Sequence, residues 1–196
     1  MSLIDVPAGQ LAAVVTYLEM RERPKALAIP HSDLSLHRAH PTPGEYRSLF
    51  QAVGGRWLWF SRLIMRDAVL LAIIDDPDVE LFEVREGAAV IGMLELDRRI
   101  ARKCELSFVG LVPEHAGKGH GRWLLAEAVT RAWQGDVSRV HVHTCTLDHP
   151  AALSAYCRAG FVAVGRKVET FIDPRLADIL PRDCAPQVPL VGASSS

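Results

Sequence analysis

No charge of one sign dominates this 196-residue chain, in which 22 lysines and arginines stand against 23 aspartates and glutamates. A balanced surface creates no overall field toward nucleic acid or an anionic membrane, so any basic ligand site has to be local. Cysteine is scarce too. Cys104, Cys145, Cys157 and Cys184 form no CxxC pair, which argues against a zinc ribbon and reads as free thiols in a reducing, cytoplasmic compartment. Long apolar runs are missing: the most apolar one, LIMRDAVLLAII, is short and carries Arg66 and Asp67. The opening MSLIDVPAGQ lacks the charged and apolar regions of a signal peptide, so no membrane association or export is expected. There is no internal repeat.

What the chain does have is a hydrophobic fraction of 49%, enough for one sizeable core. AAVVTYLEM (12–20) reads as a strand, and the region after it as a loop dotted with histidine and proline. Thr42-Pro43-Gly44-Glu45 has capping-box spacing, predicting a helix that ends near Gly54-Gly55. A second helix is expected from Ser61 to Ile74, before Asp75-Asp76-Pro77. VELFEVR (79–85), AAVIGMLELD (88–97) and CELSFVGLV (104–112) then form an antiparallel meander. A helix (122–133), a strand (138–147), a short helix after Pro150 that ends at Gly160, and a strand (161–172) complete the pattern. The reading is a single α/β domain over 1–172, followed by a proline-rich arm and mobile tail over 173–196.

The most informative stretch is PEHAGKGHGRWLLAEAV (113–129). A strand, a glycine-rich turn and a helix together aim backbone N–H groups and the positive helix end at one point, which suits a pyrophosphate. Gly117, Gly119 and Gly121 remove the Cβ atoms that would hold phosphate oxygens away, and Lys118 and Arg122 add local positive charge. A merely tight strand-to-helix turn is the competing reading. The spacing and the missing hydroxyl disfavour a P-loop. The late position, after a meander, disfavours a dinucleotide fold.

ELSFVGLVPEHAGKGHGRWLL resembles the acyl-CoA-binding motif of the GCN5-related N-acetyltransferase superfamily, whose last residues fall on Ala116, Gly119 and Gly121. TLDHPAALSAYCRAGF resembles the superfamily's second motif, a tyrosine-bearing helix leading to Gly-Phe. The resemblance covers roughly 10–172 and implies a twisted, mixed but mostly antiparallel sheet flanked by helices. It also implies acetyl-CoA as acyl donor, without a metal, and an amine-bearing small molecule or peptide as acceptor. Two positions depart from the pattern: Ala116 replaces Arg or Gln, and His149 stands where asparagine is common. The cofactor would be held by Val109, Gly110, Leu111 and Val112 of the strand, by Gly117, Lys118, Gly119, His120, Gly121 and Arg122 of the loop, and by His149 on the pantetheine arm.

Direct transfer requires a neutral amine, a donor for the oxyanion and a proton for the leaving thiolate. Glu105 holds the family-like position for the base, with Glu95 and His143 as alternatives. The resemblance gives the oxyanion a backbone N–H near a bulge at Val109 to Leu111, where Gly110 suits a bulge. It gives the thiolate its proton from Tyr156. His141, His143 and Cys145 alternate along one strand face and raise a metal-dependent hydrolase as a rival, though three ligands along one strand spread too far for one ion. A non-catalytic acyl-CoA sensor is the other rival. Trp57, Trp59 and Phe60 are expected either to line the acceptor pocket or to anchor a loop. The arm after Asp173 could reach a neighbouring subunit, which leaves a homodimer open.

Overall fold

A computed structural model describes residues 3–25, 29–115 and 118–192. Seven strands form one mixed sheet: β1 (Gln10–Met20), β2 (Leu34–Arg38), β3 (Val79–Glu86), β4 (Ala89–Asp97), β5 (Lys103–Leu111), β6 (Arg139–Cys145) and β7 (Val162–Ile172). Their order across the sheet is β2-β3-β4-β5-β6-β1-β7. Every pairing is antiparallel except β5 with β6. The helices are α1 (Pro43–Gly54), α2 (Asp67–Ile74), α3 (His120–Ala132) and α4 (Ala152–Arg158). The α/β class, the meander and the mixed sheet are as the sequence implied.

Local chemistry accounts for the best-read elements. At the start of α1 the Thr42 hydroxyl accepts from the Glu45 N–H, and the Glu45 carboxylate accepts from the Thr42 N–H at 2.8 Å. That reciprocal box satisfies two donors that a helix start leaves orphaned.

Two expectations were wrong. The helix expected from Ser61 begins only at Asp67, because 58–66 serves another purpose. Leu58 turns the chain in a left-handed conformation (φ 58), and the turns that follow aim Arg62 inward at Glu95. The histidine-dotted loop contains β2, a five-residue strand in register with β3 from Leu34↔Glu86 to Arg38↔Phe82. Leu34 and Leu36 turn inward, while Ser35, His37 and Arg38 make the strand look polar. An edge strand of this kind carries little sequence signal.

The sheet separates two layers. On one face α3 lays Trp123, Leu124, Ala128, Val129 and Ala132 over Leu94, Leu96, Cys104, Leu106, Val140 and Val142. On the other, α1 and α2 bring Tyr46, Phe50, Val53, Leu70 and Ile74 against Leu81 and Met93. This second cover stops at β5, so among the described residues β6, β1 and β7 carry no helix on that face. A third cluster joins Leu58 to Leu180 and Ala185. There the residues after Asp173 run in turns, fixed by the buried Asp173–Arg175 ion pair (2.7 Å) and by Arg175 donating to the carbonyls of Ala185 and Val188.

Candidate active site

The parallel pair at the centre of the sheet opens like a fork. β5 and β6 stay in register only for Lys103↔Arg139, Cys104↔Val140 and Glu105↔His141. Beyond Glu105 the β6-facing edge of β5 has no ladder partner among the described residues. The bulge expected at Gly110 lies earlier, at Ser107, since Leu106 pairs with Leu96 but Phe108 with Glu95. Gly110 is there for close approach instead: a Cβ on it would come within 2.7 Å of Val53 Cγ1.

The Val112 N–H donates to the Ile91 carbonyl at 2.9 Å. It is therefore committed to the meander rather than to a ligand. Alternation along an antiparallel ladder then turns the N–H groups of Val109 and Leu111 toward the open fork. Of the four expected strand residues, these two carry donors with no ladder partner among the described residues.

α3 starts at the mouth of the fork. Its N-cap is Gly119, in the left-handed region (φ 85), and no side chain caps its first turn. The 13-residue helix has no acidic residue in that turn, so its orphaned N–H groups and positive end face outward. A Cβ on Gly119 or Gly121 would meet nothing within 4 Å. That space is room for a ligand rather than a packing need, while the φ at Gly119 demands glycine for its own reason. Lys118 and Arg122 are exposed beside it, and His115 and His120 flank the turn with ring centroids 6.4 Å apart. Ala116 and Gly117 lie outside the described residues.

Glu105 is the last residue of the closed part of the fork, on the uncovered face. Its carboxylate meets His143 Nδ1 at 3.2 Å and His141 Nε2 at 3.5 Å. Hydrogen bonds from His141 and His143, offset in part by burial, hold this carboxyl far below its usual range, at about 2. In return the Glu105 carboxylate raises the imidazole of His143 above its ordinary value. The side chain of His143 is 50% exposed and that of Glu105 30%. They line a cavity of about 250 Å³ together with Tyr17, Glu19 and His141. His141 and His143 thus converge on one carboxylate.

Glu95, the other carboxylate alternative, is fully buried. It accepts from the Tyr46 hydroxyl at 2.5 Å and from Arg62 Nη2 at 2.6 Å. Burial, then the charge of Glu95, pushes the Tyr46 phenol far above normal. Arg62 also lies over the Phe108 ring, 5.2 Å from its centroid. With no exposed surface and both oxygens occupied, Glu95 has no route to a substrate proton.

Tyr156 comes from α4 and packs on the α3 side of the sheet, edge-on to Phe161 with centroids 5.9 Å apart. Burial, then the negative charge of Asp148, raises its phenol well above the ordinary value. Asp148 is a site residue that the sequence reading missed. It accepts from Trp59 Nε1 (2.9 Å), the Thr144 hydroxyl (2.8 Å) and the Cys145 N–H (2.8 Å). The bond to the N–H three residues earlier closes the turn that ends β6, together with the Asp148 N–H donating to the Cys145 carbonyl at 3.2 Å. Trp59 therefore ties the 54–60 segment to the end of β6. The His149 Nδ1 accepts from the Ala151 N–H at 3.1 Å, at the N-cap of α4 rather than inside its first turn, with Trp57 against its ring at 5.1 Å.

A splayed parallel pair, a glycine turn on a helix start and a tyrosine helix beyond the next strand are the arrangement that the resemblance to the GCN5-related superfamily implied. The model of the acetyltransferase (GNAT) family matches residues 46–161, more than half of the chain, and the chain belongs to that family. Its fold is similar to that of a GCN5-related N-acetyltransferase from Sphaerobacter thermophilus: TM-score 0.57 and 18% identity, covering 85% of this chain and 52% of that one. It is also similar to one from Kribbella flavida, with TM-score 0.54 and 17% identity over 87% of this chain and 63% of that one. A GNAT family acetyltransferase from Elizabethkingia anophelis with acetyl-CoA bound matches at TM-score 0.53 and 14% identity, over 69% of this chain and 80% of that one. The chain spans 63% of the length of the first two structures it matches. No curated protein matches it. Among the described residues no helix is long and apolar enough to cross a membrane.

Proposed function

We propose that the protein transfers an acetyl group from acetyl-CoA to the amine of a small molecule or peptide, by direct attack within a ternary complex. The observation that carries this reading is the fork itself. Its free donors, Val109 and Leu111, lie between a titratable cluster on one sheet face and a tyrosine on the other. Acyl donor and amine can then meet from opposite sides of one sheet.

The pyrophosphate of acetyl-CoA fits the N-terminus of α3, where Gly119 and Gly121 leave open space and Lys118 and Arg122 supply charge. The pantetheine arm would run along the free edge of β5 and past His149. There the N–H of Val109 or Leu111 can stabilise the oxyanion that develops at the thioester carbonyl.

An alkylammonium titrates near the lysine value of roughly 10.4, so it must give up a proton before attack. Glu105 at about 2 is a feeble acceptor for it. His143, raised by that same carboxylate, is the better matched base, and Glu105 positions its ring through Nδ1 and stabilises the imidazolium. This assigns the sequence candidate Glu105 a positioning role and makes His143 the proton acceptor. Tyr156, its phenol raised by burial, keeps its proton and donates a hydrogen bond to the sulfur as the thiolate leaves, the proton passing across as charge builds there.

The test is thiol release from acetyl-CoA with a panel of amines. Acceptor-dependent turnover, lost in His143→Ala, supports the proposal. Saturable acetyl-CoA binding without turnover on any amine would leave a sensing module instead.

A further inference from the structure

Strand β7 ends the sheet, and among the described residues no element pairs with its outer edge. Edge strands in soluble proteins are normally kept short, bulged, charged or covered, because their free N–H and C=O groups template pairing with another chain. β7 is 11 residues long and exposed along almost its whole length. It also carries four exposed aliphatic side chains, Val162, Val164, Val168 and Ile172, with Val168 at 71% exposure. A bulge beside Val164 breaks its register with β1, since Tyr17 pairs with Gly165 but Leu18 with Ala163. The unbroken stretch is therefore Gly165 to Ile172.

We infer that this edge pairs with the same edge of a second copy, in an antiparallel two-fold arrangement centred on Val168 that joins the two sheets into one. The sequence of the strand selects both occupant and register. Two identical antiparallel edges are related by an axis normal to the sheet, so each residue faces one of the same parity and a single residue lies on the axis. Centring on Lys167 would set two lysines against each other, and centring on Glu169 two glutamates. Like charges directly opposite are destabilising.

Centring on Val168 sets Lys167 opposite Glu169 of the second copy, twice, on the face that Lys167 already shares with Tyr17. On the other face it sets Val168 against its own counterpart, with Arg166 opposite Thr170. Gly165 opposes Phe171, so the paired segment spans the stretch between the bulge and the strand's end. Charge complementarity and length both fit another β7. The inference does not depend on the acetyl-transfer reading.

The test is molar mass by light scattering and sedimentation, on the full chain. Wild type is expected as a dimer and Val168→Lys as a monomer with an unchanged circular dichroism spectrum, since Val168 is 71% exposed and touches its own sheet only beside Val14. Lys167→Glu should dissociate the dimer, and the double exchange Lys167→Glu with Glu169→Lys should restore it. Under mild oxidation Val168→Cys should give a cross-linked dimer, because opposed Cα atoms about 4.5–5.5 Å apart lie within disulfide reach. Wild type, with its own exposed Cys157, should not. A wild-type monomer at the highest soluble concentration overturns the inference. So does a dimer indifferent to Val168→Lys, or a charge exchange that fails to restore it.

Discussion

Glu95 and Glu105 sit on adjacent strands and point to the same face of the sheet, yet the molecule uses them in opposite ways. Glu95 lies under α1 and the 58–66 turns, with no exposed surface and its oxygens taken by Tyr46 and Arg62. Glu105 lies where that cover has ended and the fork begins, in contact with two imidazoles and open to a cavity. A carboxylate sealed against a guanidinium and a phenol holds the framework together. One shared with histidines, part-exposed, can respond to protons and ligands. The difference between a sealed carboxylate and an open one is thus set by how far the helical cover extends across the sheet.

The largest expected effect tests the sealed half. Arg62→Ala would leave Glu95 buried without its counter-charge and should cost about 3–5 kcal/mol of stability, read as a drop in the denaturant midpoint. Glu105→Gln should change that midpoint by about 1 kcal/mol or less, because its partners can turn to water. Equal losses would erase the contrast between the two carboxylates.

Next come the kinetic effects, which should fall on the open half. His143→Ala should lower kcat/KM about 10²–10³-fold at neutral pH, the scale of a lost general base. Tyr156→Phe should lower kcat roughly tenfold or more with little change in acetyl-CoA affinity, since the ring's packing on Phe161 survives. Gly121→Val should do the reverse, weakening acetyl-CoA binding about tenfold or more while leaving stability nearly unchanged, because the space there is empty. Binding titration beside single-turnover kinetics separates these outcomes. A Gly121→Val variant that binds normally would remove the α3 turn from the site.

The contrast between the two halves also explains what could be read from the sequence. Thr42 to Glu45, the meander and the glycine turn are local patterns, closed over a few residues, and all were legible. The Tyr46–Glu95–Arg62 triad is closed across 49 and 33 residues, and the Trp59–Asp148 bond across 89. Nothing in the spacing of such residues announces the contact. The 61–66 segment looked helical by its apolar content, but the need to deliver Arg62 to Glu95 overrode that preference. β2 was hidden for the opposite reason, since a half-exposed edge needs only two leucines. In the site itself Glu105 was visible through resemblance. That two histidines of the neighbouring strand would fix its charge depended on the parallel register Glu105↔His141.

The smallest expected effect is the most discriminating, because it asks whether Glu105 acts directly or through His143. The groups around this imidazole are Glu105 on β5, His141 and Arg139 on β6, Tyr17 and Glu19 on β1, Lys167 and Glu169 on β7, and Asp148 beyond β6. Their balance raises His143, chiefly through its bond to Glu105. A base must be neutral to work, so kcat/KM should rise with pH through an inflection above the ordinary histidine value of about 6.5. In Glu105→Gln the imidazolium loses its carboxylate, and the inflection should move to lower pH. The variant's deficit would then shrink as pH falls, since its remaining base is already neutral where that of the wild type is charged. The stability linkage has its own signs. His143 stabilises the fold fully below about 6.5, and that contribution fades as pH rises through its elevated value. Glu105 stabilises above about 4.3, and its contribution fades as pH falls toward its folded value. An inflection that stays in place in Glu105→Gln would uncouple the pair. One that disappears altogether would return the role of base to Glu105 itself.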